Sequence, residues 1–187
     1  MADKFNILVI LGSVREGRMA EPVGRWVMER AAARDDLDCE LVDLGEWHLP
    51  FFPHPTPPAA GKYQDPVQIR WAEKIASADG YVLIAPEYNH SGSAVLKNAL
   101  DTVFAEWNRK PVSFVGYGTV GAARSIEQLR LTTIALEMAP LSNAVHLVRP
   151  GAKREGDRFN ADQYDDRALS ALFDELAWWS GALKAAR

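Results

Sequence analysis

The 187-residue chain predicts a doubly wound α/β fold: a five-stranded parallel sheet with helices on both faces, in a single domain spanning residues 1–187. Three observations carry that expectation. Short, continuous apolar and β-branched runs recur five times, the pattern of strands buried on both faces. Each is followed, directly or after a loop, by apolar residues at helical spacing. No repeat period or compositional break divides the chain.

The first run, Phe5 to Leu11, stops at Gly12. After a polar loop, Pro22 is placed to open a helix whose Val23, Trp26, Val27 and Ala31 share one face. Cys39 to Leu44 reads as a second, shorter strand. Residues 47–66 then hold six of the eleven prolines and little periodicity. That is a stiff surface excursion, of a length that usually serves as a lid or a partner surface. Past Pro66, Val67, Trp71, Ile75 and Ala78 fall at helical spacing, and Gly80 to Ala85 is the third strand. Ser93 or a neighbour starts a helix through Leu96, Leu100 and Val103, and Lys110 to Gly116 is the fourth strand. Ala122, Ile126, Leu129, Thr133 and Leu136 give the next helical face, and Ala144 to Val148 the fifth strand. Arg149 to Asp162 reads as a loop before a closing helix carrying Leu169, Leu172, Phe173, Leu176, Trp179 and Leu183.

Composition excludes several function classes. The 21 Lys and Arg against 25 Asp and Glu give a net charge of −4, without the basic excess that a nucleic-acid or anionic-membrane surface needs. The one cysteine, Cys39, and four histidines form no zinc or disulfide pattern, so no metal is expected and a reducing cytoplasm suits the chain. Met1 to Lys4 followed by a short apolar run is no secretory leader, and no apolar stretch is long enough to span a bilayer.

In doubly wound sheets, ligands bind beyond the carboxyl ends of the strands, where strand order reverses. The loop after the first strand, Gly12-Ser13-Val14-Arg15-Glu16-Gly17-Arg18-Met19, brings two arginines and a hydroxyl to a helix start, a setting for phosphate. Its glycines match the P-loop spacing, but Arg18 replaces the lysine and Met19 the magnesium-binding hydroxyl; nor is it GxGxxG. A phosphate monoester without metal remains. After the third strand, Pro86-Glu87-Tyr88-Asn89-His90-Ser91-Gly92 offers a flat ring, hydrogen-bonding groups and close backbone approach. His90 lacks a carboxylate partner and reads as a loop histidine. After the fourth strand, Tyr117-Gly118-Thr119-Val120-Gly121 adds two glycines and a hydroxyl. Together the three loops describe a crevice for a phosphate tail and a flat polar heteroaromatic ring. Flavin mononucleotide (FMN) fits.

These residues, with Gly121-Ala122-Ala123-Arg124 and Glu127-Gln128-Leu129-Arg130, resemble the NADPH-dependent FMN reductase family over about Phe5 to Val148. The family comprises flavodoxin-like enzymes that include quinone, chromate and azo-dye reductases. The resemblance implies that Ser13, Arg15 and Arg18, with Met19 closing the loop, surround the FMN phosphate. It sets Pro86, Glu87, Tyr88, Asn89 and Ser91 along the isoalloxazine, and Tyr117, Gly118, Thr119 and Gly121 over its edge. Many members have serine where Arg18 stands and asparagine where Ala20 stands, so the phosphate contacts rest first on Ser13 and Arg15. It also implies NADPH or NADH as hydride donor, a small acceptor in ping-pong order, no protein nucleophile, and a homodimer or homotetramer. For that contact Trp107, Trp178 and the Trp47 to Phe52 stretch are the aromatic candidates, with core packing the alternative. A flavodoxin-type carrier without nicotinamide turnover, and a flavin-free binding module on the same fold, are the competing readings.

Overall fold

The computed structural model describes residues 4–187; the leader reading at Met1 to Asp3 falls outside the described residues. In chain order the elements are β1 (Phe5–Leu11), α1 (Ala20–Ala31), β2 (Leu37–Asp43), a single turn α2 (Leu44–Trp47), α3 (Pro66–Ala76), β3 (Gly80–Pro86) and α4 (Ala94–Asp101). They continue with β4 (Pro111–Gly118), α5 (Ala123–Ala135), β5 (Ala139–Pro140), β6 (Val145–Val148), a small hairpin of β7 (Arg154–Glu155) and β8 (Arg158–Phe159), and α6 (Gln163–Ala186). The parallel sheet runs β2-β1-β3-β4, and both β5 and β6 pair with the free edge of β4. The fifth position is therefore one broken strand. Register moves on by two residues between the Pro111↔Ala139 and Val115↔Val145 pairs. Exposed Ser142 and Asn143 lie in the gap, where Ser113 Oγ donates to the Asn143 carbonyl at 2.6 Å.

Strand period explains the continuous apolar runs. Along β1, Ile7, Val9 and Leu11 face the layer of α1 and α6, packing with Val23, Trp26, Val27, Leu172 and Phe173. Leu8 and Ile10 face the other layer, with Trp71 and Ile75 of α3, Leu96 and Leu100 of α4, and Ile126 and Leu129 of α5. The sheet is thus flavodoxin-like, with helices on both faces. Trp107 is 1% exposed and stacks edge-to-face on Tyr81 and Trp71, which makes it core, whereas Trp178 is 66% exposed. Among the described residues, no helix is long and apolar enough to cross a membrane.

Several boundaries differ from the sequence reading, among them β2, which runs from Leu37 to Asp43 rather than from Cys39 to Leu44. α1 begins at Ala20, so Pro22 sits inside the first turn, where a missing N–H breaks no helical bond. Two strands run further: β3 includes Pro86, and β4 includes Tyr117 and Gly118. The stretch read as a loop from Arg149 holds a short 3-10 turn and the β7–β8 hairpin. Helix starts at Asp65, Ser93 and Asp162 carry the side-chain caps that their residue types favour.

At the opposite end of the sheet from those loops, buried Lys110 donates to the Ile75 and Ala76 carbonyls at 2.9 and 3.0 Å, closing the C-terminus of α3. Burial pulls its pKa down to about 8, with Arg187 pushing the same way. Between pH 8 and about 10.5 the unfolded chain therefore holds more protons than the folded one. Stability should rise with pH across that window, by up to about 1.4 kcal/mol per pH unit. Urea melts of Lys110→Met should show that slope flattened.

Candidate functional site

The sheet's switch point lies between β1 and β3, because the chain passes from β1 to β2 on one side and places β3 and β4 on the other. Gly12 ends β1 there. A Cβ on it would lie 2.7 Å from the Ile84 carbonyl and 2.9 Å from Leu96 Cδ2, so only glycine lets β3 and α4 come this close. The next residue, Ser13, is fully buried, and its Oγ shares a 2.7 Å hydrogen bond with the Tyr88 hydroxyl. Ser93, the N-cap of α4, donates to the Gly12 carbonyl and accepts from Leu96 N. The loops after β1 and β3 are thereby joined by side chains.

The two arginines part company. Arg15 is exposed, makes no ion pair among the described residues, and holds its guanidinium 5.5 Å from the Tyr88 ring centroid. Arg18, 10% exposed, donates to the Ser13 carbonyl at 2.9 Å and pairs with Asp43 at 2.5 Å and Glu21 at 2.9 Å. Its charge is matched locally, and it stitches the first loop to the end of β2. Met19 caps α1 without a side-chain bond and packs into the α1–α6 layer. The backbone N–H groups of Val14, Arg15, Glu16 and Gly17 have no partner among the described residues. Such a run of free donors suits an anion. The first turn of α1 adds less than its dipole suggests, since Pro22 lacks a donor and Glu21 is acidic.

After β3, Tyr88 and Ser91 exchange backbone hydrogen bonds of 2.9 and 3.0 Å around Asn89 and His90, both at positive φ (50° and 70°). That is a type I′ turn, which asparagine tolerates. It puts Asn89 and His90 at an exposed tip and leaves Ser91 half-buried. α5 holds this turn from behind. Ser125 Oγ donates to the Pro86 carbonyl at 3.0 Å, Gln128 Nε2 donates to the His90 carbonyl at 2.9 Å, and Arg124 pairs with Glu87. Burial pushes the Glu87 carboxyl up, but the Arg124 hydrogen bonds and charge outweigh it and hold the pKa below the ordinary value.

β4 turns into α5 through Gly121 and Ala122, both left-handed (φ 65° and 57°). The Gly121 carbonyl meets the His146 Nδ1 at 2.9 Å, and a Cβ on Gly121 would lie 2.9 Å from His146 Cβ. Thr119 is exposed and Gly118 half-buried beside Glu87. Tyr117 points the other way, toward the first loop. Its hydroxyl is buried beside Ser13 without completing a hydrogen bond. Burial pushes that phenol up; Tyr88 adds to the shift, while the neighbouring Ser13 hydroxyl, Arg18 and Arg15 oppose it.

A cleft of about 330 Å³ opens over Ser13, Arg15 and Tyr88. Of the residues singled out from sequence, these three and the Tyr117 hydroxyl converge. Glu87 and Arg18 are engaged by Arg124 and Asp43, and Gly118, Thr119 and Gly121 lie on the neighbouring turn. The cleft's second wall was not anticipated: Leu49 and Phe51 from the proline-rich excursion, and Val95 and Asn98 from α4. Asn98 was the available signal, a polar residue on the core-facing stripe of α4.

The sequence profile of the family described as NADPH-dependent FMN reductase matches residues 5–152. A protein named NAD(P)H-dependent FMN reductase from Schizosaccharomyces pombe is 40% identical over 148 residues, covering 77% of this chain and 74% of its own. A protein named quinone reductase from Escherichia coli K12 is 29% identical over 182 residues, 94% of each chain. Among solved structures, the flavoenzyme NAD(P)H:(acceptor) oxidoreductase FerB from Paracoccus denitrificans superposes with a TM-score of 0.77 at 20% identity, covering 95% of this chain and 98% of its own.

Proposed function

The chain belongs to the NADPH-dependent FMN reductase family and is an NAD(P)H-dependent FMN or quinone reductase, and from that premise we propose that it holds FMN across the β1–β3 switch point. One observation carries the placement: the Tyr117 hydroxyl, buried without a partner, beside the Ser13–Tyr88 hydroxyl pair and under a free Arg15. An orphaned buried hydroxyl is unfavourable by about 1 to 3 kcal/mol unless a ligand satisfies it. A phosphate monoester supplies acceptors for the hydroxyl protons that the Ser13–Tyr88 bond leaves free, for the free N–H groups of Val14 to Gly17, and for Arg15. The residues present fit the group.

In this reading Arg15 neutralises the phosphate, while Arg18 and Met19 hold the loop's shape from behind. Tyr88, with Pro86, Glu87, Asn89 and Ser91, supports the ring, and Gly118, Thr119 and Gly121 close on its edge. The N–H groups of Asn89 and Thr119 have no backbone partner among the described residues and would offer donors to the ring edge where reduction develops negative charge. Bound FMN supplies the two-electron relay between NADPH or NADH and a small acceptor. One open face serves donor and acceptor in turn, so initial-rate lines should run parallel.

The test is a flavin titration with FMN and riboflavin, which differ only in the phosphate. Arg15→Ala should weaken FMN by the roughly 1.5 to 3 kcal/mol of a charged hydrogen bond, about tenfold or more, and leave riboflavin affinity unchanged. Equal losses for both flavins would move Arg15 away from the phosphate.

We also propose a homodimer or homotetramer, supported by Leu131 and Ile134 on the outer face of α5, 71% and 57% exposed, and by Trp178. Sedimentation at micromolar concentration decides it. We also place the chain in a reducing cytoplasm, a reading supported by its single cysteine, Cys39, which has no second thiol in the chain to pair with.

A further inference from the structure

On the side away from the cleft, a guanidinium from a distant part of the chain holds the first loop. Arg154, on β7, donates from Nη1 to the Gly17 carbonyl at 2.8 Å and from Nε to the Gly156 carbonyl at 2.8 Å. The bond to Gly17 joins residues 137 positions apart. Arg18 has Asp43 and Glu21 beside it, whereas Arg154 makes no ion pair among the described residues, so its charge stands uncompensated behind the loop.

The hairpin that carries Arg154 is anchored independently of that bond. Phe159 on β8 is 7% exposed and meets the Trp26 ring edge-on, with centroids 5.3 Å apart. Lys153, just ahead of β7, pairs with Asp162 and Asp165 at the start of α6, at 2.7 and 2.6 Å. Arg25 of α1 donates to the Asp157 carbonyl at 2.8 Å. The hairpin thus packs with the α1–α6 layer, while the cleft's second wall belongs to the other layer.

N–H and C=O groups alternate along a backbone, so a run of N–H donors can face an anion only where the carbonyls between them are turned aside. In this loop the Ser13 carbonyl is taken by the Arg18 side chain at 2.9 Å, the Arg15 carbonyl by the Arg18 N–H at 3.2 Å, and the Gly17 carbonyl by Arg154. Gly17 is the member least fixed by anything else. It is exposed, its φ is 64°, and nothing lies within 4 Å of a Cβ placed on it. No packing of its own sets the direction of its carbonyl; the bond from Arg154 does.

Resting on the FMN placement, we propose that Arg154 is a positioning residue for the phosphate. It fixes the Gly17 peptide so that the N–H groups of Val14 to Gly17 are arranged before a phosphate arrives, and it thereby sets how strongly this chain prefers FMN to riboflavin. A loop ordered in advance loses less freedom on binding than one the ligand must order, and the uncompensated charge acts in the same direction. The preference then depends on a hairpin that follows the end of the family profile at residue 152.

The experiment titrates the full chain with FMN and with riboflavin, comparing wild type with Arg154→Met, Arg154→Lys and Arg25→Met. Arg154→Met should weaken FMN about fivefold or more, the worth of one hydrogen bond, and leave riboflavin within about twofold of wild type. Arg154→Lys keeps the charge and one donor for Gly17, and should recover most of the loss. Arg25→Met loosens the hairpin from α1 without touching the loop, and should leave both affinities at wild-type values. Phosphorus NMR of bound FMN gives a readout that a general loss of stability would not move: the phosphate resonance should shift in Arg154→Met and stay in place in Arg25→Met. Equal losses for both flavins in Arg154→Met overturn the proposal, as does an equal FMN loss in Arg25→Met, since either makes the hairpin a general brace. So does an FMN affinity in Arg154→Met within about twofold of wild type. A wild-type chain that binds riboflavin as tightly as FMN takes away the phosphate placement itself; discrimination lost in Arg15→Ala but kept in Arg154→Met removes Arg154 alone.

Discussion

Replacing Gly121 with alanine should destabilise the fold by roughly 2 to 5 kcal/mol and loosen flavin binding at the same time. Two effects add. Gly121 sits at φ 65°, where an L side chain costs about 1 to 2 kcal/mol. The new methyl would also approach His146 Cβ at 2.9 Å and its backbone carbon at 3.1 Å, and backbone on β6 cannot swing aside as a side-chain end can. Overpacking of that kind costs typically about 1 to 3 kcal/mol. Gly61 is the matched control, since it has φ 63° and nothing within 4 Å of a Cβ. Gly61→Ala should show the strain alone. Thermal melts separate the two, at about 2 to 4 °C per kcal/mol for a chain of this size. Equal shifts for both variants would remove the steric component. The flavin effect follows because relieving the contact with His146 displaces the 118–122 turn that we place at the ring edge.

The second large effect is expected at Arg18. Arg18→Ala leaves Asp43 with its Gly45 N–H bond but without its cation, and leaves the Ser13 carbonyl without its donor. Removing one partner of a buried pair typically costs about 3 to 5 kcal/mol. The lower end applies here, because Asp43 keeps 20% exposure. Arg18→Lys should rescue little, since one ammonium cannot hold Ser13, Glu21 and Asp43 in the fork geometry of the guanidinium. Urea denaturation of Arg18→Ala, Asp43→Asn and the double variant closes a cycle, and the double variant should be no less stable than Arg18→Ala alone. Additive losses would show that the two residues act independently. With riboflavin as ligand, Arg18→Ala should still weaken binding, the mark of a residue that shapes the loop rather than one that meets the phosphate.

Much of the architecture was legible because burial on both faces leaves a plain trace. Ile7 to Leu11 and Tyr81 to Ala85 are continuous apolar runs, and such strands have no polar side to confuse the period. The three loops were legible from their residues, whereas the strand order that sets the switch point between β1 and β3 came from the structure. Two-residue strands such as Ala139–Pro140 leave no such trace, and only pairing with β4 defines them. Arg15 and Arg18 look alike in sequence and differ in the fold because Asp43, distant along the chain, reaches one of them. The Tyr117 hydroxyl drew no comment from sequence, since whether a hydroxyl is orphaned depends on every neighbour. The proline-rich excursion has no period to read, so its place as a wall of the cleft emerged only from the packing around Asn98.

The break between β5 and β6 bears on how copies of this protein can meet. An unpaired sheet margin invites a neighbour's strand, and length is what makes the invitation effective. Here that margin is cut into stretches of two and four residues with an offset between them, while the opposite margin, β2, carries Asp38 and Glu40. Both rims are thus poor templates for fibril-like growth, which favours surfaces other than the sheet margins for the self-association proposed above, where it can be closed and finite.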